Sequence, residues 1–244
     1  MKTLPKKSTR YKVRSTKIYL SLFSIFFSLF SFSQEAQKDT TKVTQLKEVI
    51  VSSVRAKDKN PITYTNVAAA EIAPRNLGQD IPVLLNYLPS VVTTTDAGNG
   101  VGYTYMRVRG SDGSRINVTL NGVPFNDSES QGTFFVNLPD FASSLETVQL
   151  QRGVGTSTNG AGAFGASLNM QTKKNKKKAY AEVSNSVGSF NTRKHTLAFG
   201  TGLHNNFEMN ARISNIASDG FIDRASSNMF GYFFNANYIA EKSQ

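Results

Sequence analysis

The stretch Met106–Asp127, MRVRGSDGSRINVTLNGVPFND, decides how the chain folds. Around its start, Tyr103, Tyr105, Arg107 and Arg109 alternate with Thr104, Met106 and Val108, the two-residue period of a strand. A pause at Gly110-Ser111-Asp112-Gly113 follows. Ile116, Val118 and Leu120 then alternate with Asn117, Thr119 and Asn121. Asn121-Gly122 is a tight-turn signal, and Pro124 bars a simple continuation in the middle of a ladder. The pattern predicts two strands of one small sheet, joined through SDGS. The stretch carries Arg107, Arg109 and Arg115 but no nucleophile–base arrangement. The chain has no cysteine, and its only histidines, His195 and His204, lie far away in sequence without metal-ligand spacing. Covalent catalysis and thiolate chemistry are therefore not what these strands serve.

Upstream, Gln79-Asp80-Ile81-Pro82 reads as a helix start with Pro82 in the first turn. Leu84, Leu85 and Leu88 give the helix an apolar face, and Pro89 ends it. Downstream, Asn137-Leu138-Pro139-Asp140 predicts a turn and a short helix through Phe141 and Leu145, leading to a strand over Glu146–Gln151. Glycines 153, 155, 160, 162 and 165 then crowd RGVGTSTNGAGAFGASLNM, Arg152–Met170. Two readings stay open here. One is a flexible surface loop. The other is a tightly turned segment packed against a wall, since glycine allows left-handed backbone and close approach. A nucleotide loop is excluded: no Lys-Ser/Thr closes the run, and the strand–glycine–helix context is missing. Residues 60–172 thus read as one α+β domain.

The ends of the chain have different characters. Met1–Lys17 holds seven basic and no acidic residues, and Ile18–Phe32 is an uncharged Phe/Leu/Ser run. With the small-residue stop at Ser31–Ser33, residues 1–33 read as a cleaved secretory signal; the run is short for a spanning helix of roughly 20 residues. Removing the basic head lowers the formal charge from +11 to about +4, an ordinary balance, so the high pI does not argue for nucleic acid and no nucleic-acid partner is expected. Residues 34–59 are polar except for LKEVIVSS, Leu46–Ser53, a β-prone island. It is either an edge strand of the next domain or a strand offered to another protein. Lys173–Lys178, KKNKKK, reads as a linker, or as a basic rim that attracts anionic headgroups. Residues 179–244 then hold about four alternating segments. Ala181, Val183 and Val187 lie on one face of the first, and Leu197 and Phe199 end the second. Phe207, Met209, Ala211 and Ile213 mark the third, and Phe230–Tyr238 the fourth. Apolar-out, polar-in segments of this length are the signature of a membrane β-barrel, although a soluble sandwich alternates in the same way.

Taken together, these features resemble the N-terminal part of TonB-dependent outer-membrane receptors, especially the Bacteroidetes type. Met106–Asp127 is similar to the first plug stretch, with its arginine-bearing strand, Gly turn and NGVP turn. LETVQLQRGVGTSTNGAGAFGASLNMQTK, Leu145–Lys173, resembles the second, with Glu146, Val148, Arg152, Gly153, Gly160, Gly165 and Asn169 in matching places. Phe164, Ala166, Leu168 and Met170 depart from the usual pattern. LKEVIVSS resembles the Ton box.

The resemblance implies an α+β plug followed by the start of a transmembrane antiparallel β-barrel of about 22 strands, of which about four are present. It implies no enzyme activity, no cofactor and no metal. TonB, with its inner-membrane energising complex, would engage Leu46, Glu48, Val49, Ile50 and Val51. Arg107, Arg109 and Arg152 would pair with acidic groups of the barrel wall, with Glu146 as a partner for them within the plug. Asn121 and Gly110, Gly113, Gly122, Gly153, Gly160 and Gly165 would set the plug's turns. The implied setting is the outer membrane, in contact with its lipid and with the N-terminal segment in the periplasm. The implied substrate is an external iron chelate (siderophore) or haem. The competing reading is a secreted or periplasmic β-rich ligand-binding module without transport.

Overall fold

The structure is a computed structural model that describes residues 55–155, 162–174, 176 and 178–239. The expected signal segment, Leu46–Ser53 and Gly160 lie outside the described residues. The described residues all belong to one unit, Lys47–Gln244.

A five-stranded mixed sheet is built from β1 (Tyr64–Ala68), β4 (Ile116–Leu120), β5 (Val123–Pro124), β6 (Leu145–Arg152) and β7 (Ala166–Thr172), in the order β1-β6-β7-β4-β5. Only β4 and β7 run parallel. One face is apolar because the strand periods coincide: Val148 lies opposite Met170, Leu150 opposite Leu168, and Val118 opposite Leu168 from the other side. These side chains pack on Ile72 of α1 (Ala69–Ile72), on Ile81, Leu84 and Leu85 around α2 (Ile81–Leu84), and on Phe135 and Phe141. The opposite face is polar and equally buried, with Gln149, Gln151, Ser167 and Asn169 each at most 2% exposed.

The Met106–Asp127 stretch does not form the single small sheet expected of it. β3 (Thr104–Val108) pairs with β2 (Val91–Thr95) in a separate two-stranded ribbon, while β4 joins the mixed sheet. The link between β3 and β4 is too long and too curled for a hairpin. Arg109 and Gly110 take left-handed backbone, and Gly113–Arg115 coil into a 3-10 turn capped by the Asp112 carboxylate. By contrast, Asn121 (φ 50°) and Gly122 (φ 83°) form the two-residue turn joining β4 to β5. Successive positive φ values of this kind suit the right-handed twist of paired strands. The helix expected from Gln79 is a single turn, and the one expected through Phe141 is a 3-10 turn, Phe141–Ser144.

The last four strands make an antiparallel meander: β8 (Tyr180–Val187), β9 (Arg193–Gly200), β10 (Phe207–Ser218) and β11 (Ser227–Tyr238). Its two faces differ sharply. Val183, Val187, Ile213, Phe230, Tyr232, Phe234 and Tyr238 are exposed on one side, whereas Lys194, Thr196, Glu208, Asn210, Arg212 and Ser214 are buried on the other, against the mixed-sheet domain. An alternation with the apolar residues outward is what a wall between lipid and a filled interior requires.

Asp80, the residue preceding α2, adds a testable feature. It is buried, one carboxylate oxygen accepts from Thr104 Oγ1 at 3.0 Å, and the other has no hydrogen-bond partner. Burial pushes its pKa up to about 7, against the opposing bond from Thr104. Because the folded value lies above the unfolded one of 3.8, the contribution to stability is full below pH 3.8 and is lost as pH rises towards 7. Asp80→Asn is therefore expected to raise stability at pH 8 by on the order of 2 kcal/mol and to change little at pH 4. The gain stays below the full value of the shift because an uncharged acceptor holds Thr104 less tightly. Urea midpoints at the two pH values measure this; an equal change at both would show that the carboxyl is not the cause.

Candidate functional site

Among the described residues no constellation of reacting side chains stands out; their organised polar chemistry lies where the mixed-sheet domain meets the four-stranded wall. Its centre is Asp140, in the turn before Phe141–Ser144, with a left-handed backbone (φ 53°) and a side chain fully removed from solvent. Lys194 of β9 reaches it at 2.7 Å and Arg212 of β10 at 3.0 Å. Thr196 Oγ1 donates to the same carboxylate at 2.8 Å, and Ser143 Oγ donates as well. The cations are themselves held: Lys194 Nζ donates to the Asn76 carbonyl at 3.0 Å, and Arg212 Nε donates to Ser144 Oγ at 2.8 Å. Burial alone would raise the Asp140 carboxyl, but Lys194, Arg212 and the hydrogen bonds outweigh it and hold it below the ordinary carboxylate value. A charge so deeply buried is tolerated only when its partners are also hydrogen-bonded, and here they are.

Three further contacts, at two places, fix the domain against the wall. Gly231 of β11 faces it so closely that a Cβ there would sit 2.7 Å from the Pro139 carbonyl oxygen. At another edge, Asn99 Nδ2 donates to Ser218 Oγ, and the backbone N–H of Phe221 donates to the Ala97 carbonyl at 2.8 Å. Beside the Asp140 cluster the surfaces part around a polar cavity of about 180 Å³ lined by Asn76, Ser143, Lys173, Glu182, Asn210 and Arg212 among others. The seat is thus strong at points and open between them.

The sequence-expected residues fall into groups. Arg109 and Arg152 converge on Pro89–Ser90: the Arg109 N–H donates to the Ser90 carbonyl at 2.9 Å and Arg152 Nη1 to the Pro89 carbonyl at 3.4 Å. The Arg109 guanidinium also lies over Gly153, 3.3 Å from where a Cβ would be. Arg107 is exposed on β3. Among the described residues, none of the three reaches a carboxylate within 4.0 Å, and the ion pairs have the reverse polarity, an acid on the domain and cations on the wall. Burial lowers the pKa of Arg55, and the charge of Glu146 offsets this only in part. Asn121 ties β4 to β7 by accepting from the Thr172 N–H at 2.9 Å and donating to Thr172 Oγ1 at 3.0 Å. Gly110 and Gly113 both lie within the β3–β4 link, Gly110 with left-handed backbone and Gly113 opening its 3-10 turn. Gly165 is wedged against Ser111, and its N–H donates to the Arg115 carbonyl at 2.8 Å.

Asp140, Lys194 and Arg212 were not singled out from sequence. The signal available was that Lys194 and Arg212 occupy the inward parity of strands whose other face is apolar, where a bare charge needs a partner.

A compact α+β domain seated by a buried ion cluster on the polar face of an outward-apolar β-meander defines a plug and the start of its barrel. The family model of the TonB-dependent Receptor Plug Domain matches residues 56–167, and this chain carries that plug. The Vitamin B12 transporter BtuB of Vibrio cholerae serotype O1 is 23% identical over 175 residues, 71% of this chain and 28% of the relative. The P. aeruginosa receptor FpvA, solved with a heterologous pyoverdine and iron, superposes with a TM-score of 0.62 at 16% identity, over 75% of this chain and 24% of that one. Fiu, the ferric-catecholate import receptor of E. coli K12, gives 0.57 at 18% identity, over 72% and 24%. The chain therefore spans little more than a quarter of the length of the curated relative it matches. These relatives are named as transporters and receptors.

Proposed function

We propose that the protein is an outer-membrane uptake receptor whose plug gates passage of a scarce nutrient, an iron chelate or haem, and whose N-terminal segment is drawn on by TonB from the periplasm. The observation that carries this reading is the plug's seat on the polar face of the meander, with the aromatic face left for lipid. The relatives named for vitamin B12 and ferric-catecholate import support a nutrient of that general class. Substrate outside need only prefer the plug state in which Leu46–Ser53 is released. Strand addition would then supply the grip, with Leu46, Glu48, Val49, Ile50 and Val51 as the engaged residues. The Bacteroidetes subtype belongs to this proposal as well.

Strand pairing depends on backbone donors, and proline removes one. Ile50→Pro is expected to abolish energised uptake while leaving substrate binding at the cell surface intact. Uptake of radiolabelled ferric siderophore or haem, with and without a protonophore, checks this in cells; undiminished energised uptake of a substrate that the parent imports would remove the TonB reading.

A further inference from the structure

Close behind the proposed pulled segment in sequence, Arg55 and Ala56 are both held on the polar face of the plug sheet. The Gln149 side chain, 1% exposed, grips the Ala56 backbone from both sides: the Ala56 N–H donates to Gln149 Oε1 at 2.8 Å, and Gln149 Nε2 donates to the Ala56 carbonyl at 3.0 Å. This is how a strand partner would bind, but one amide supplies both bonds. The amide is itself fixed, donating to Asn66 Oδ1 at 2.8 Å and accepting from Gln151 Nε2 at 3.0 Å. Arg55 spans three strands, donating to Asn66 of β1, Thr147 of β6 (2.8 Å) and Gln171 of β7.

From there the chain turns back. Lys57–Ile62 is tightened by bonds from the N–H groups of Asn60 and Ile62 to the carbonyls of Lys57 and Asn60. It reaches Thr63, whose carbonyl accepts from the Arg152 N–H at 2.9 Å, and only then enters β1. Among the described residues, β1 is an edge strand of the sheet and pairs with β6 alone. A pull arriving at Arg55 from the N-terminal side therefore meets the clamp before it meets the edge strand.

We propose that the Gln149–Ala56 clamp, braced by Arg55, is the point at which tension on the N-terminal segment first bears on the plug. The clamp shields β1 from pulls too weak to break it. The role rests on the proposed function, in which that segment is pulled, but the mechanics can be tested without the energising partner.

The test is single-molecule pulling from the N-terminus of the membrane-assembled protein. The first rupture frees Arg55–Thr63, a gain of about 30 Å of contour at roughly 3.5 Å per residue. A later rupture at higher force removes β1. Gln149→Met abolishes the first step and leaves the second at its original force; Arg55→Ala lowers the force of the first step. A first step unchanged in Gln149→Met, or a wild-type trace in which β1 leaves together with Arg55, overturns the proposal. If Gln149→Met shows no β1 rupture the sheet itself is lost, and Arg55→Ala decides: an unchanged first step then counts against the clamp. Should uptake survive Ile50→Pro while Gln149→Met loses the first step, the reading in which TonB draws on the N-terminal segment fails and the clamp stands.

Discussion

Asp140→Ala weakens the seating of the plug by about 3–5 kcal/mol, because it strands two buried cations. Lys194 and Arg212 are each nearly sealed from water and lie 2.7 and 3.0 Å from the carboxylate. Neither can turn to solvent without leaving the bonds it makes to Asn76 and Ser144. The loss measures the penalty of unpaired charge rather than the net value of the cluster, so the triple variant Asp140→Leu, Lys194→Met, Arg212→Leu recovers much of it. Denaturant titration following plug release from the membrane-assembled protein checks both results. The pH dependence has a definite sign. The folded carboxyl lies below its ordinary 3.8, so its stabilisation is present above that pH and is lost as pH falls through the lower folded value. Release of the plug should therefore become easier in acid below about pH 4 in the parent protein. In Asp140→Ala that acid dependence should be reduced.

The second large effect is expected at Gly165. A Cβ there would lie 2.4 Å from Ser111 Cβ and 3.0 Å from the Arg115 carbonyl oxygen. The backbone cannot swing away, since the Gly165 N–H donates to Arg115 at 2.8 Å and its carbonyl accepts from the Gly153 N–H at 2.9 Å. Gly165→Ala is expected to cost about 3 kcal/mol, at the upper end of overpacking penalties. Ser111→Gly removes the nearer obstacle, so the double variant should recover part of the loss, with a coupling of at least about 1 kcal/mol. Urea unfolding of the four proteins of the cycle measures it. Simple additivity would mean that the strain arises elsewhere.

What the sequence disclosed and what it hid divide along the range of the interactions. Asn121-Gly122 was legible because the turn is dictated by two adjacent residues that tolerate positive φ. The alternation of Phe230, Tyr232 and Phe234 against Gly231 and Phe233 was legible because strand parity is local. The separation of β3 from β4 was not, since it depends on Val91–Thr95 competing for β3 and Ala166–Thr172 taking β4. Nor was the polarity of the ion cluster. The arginines of the Met106–Asp127 stretch drew attention by proximity in sequence, whereas Asp140 meets partners 54 and 72 residues further along. The polar face of Gln149, Gln151, Ser167 and Asn169 looks like a solvated strand face in sequence; it is buried, and Arg55–Ala56 lies on part of it.

The central claim is that the meander is a membrane wall with the plug on its inner face. Nitroxide labels placed singly at Val183, Ile213, Tyr232 and Phe234, and at Thr196 and Ser214 on the opposite face, test it in outer membranes. Collision rates with oxygen and with a water-soluble nickel chelate are read for each label. The account predicts high oxygen and low nickel accessibility at the first four positions, and low accessibility to both at Thr196 and Ser214. Nickel accessibility at Tyr232 and Phe234 equal to that of a solvent-exposed loop would contradict it.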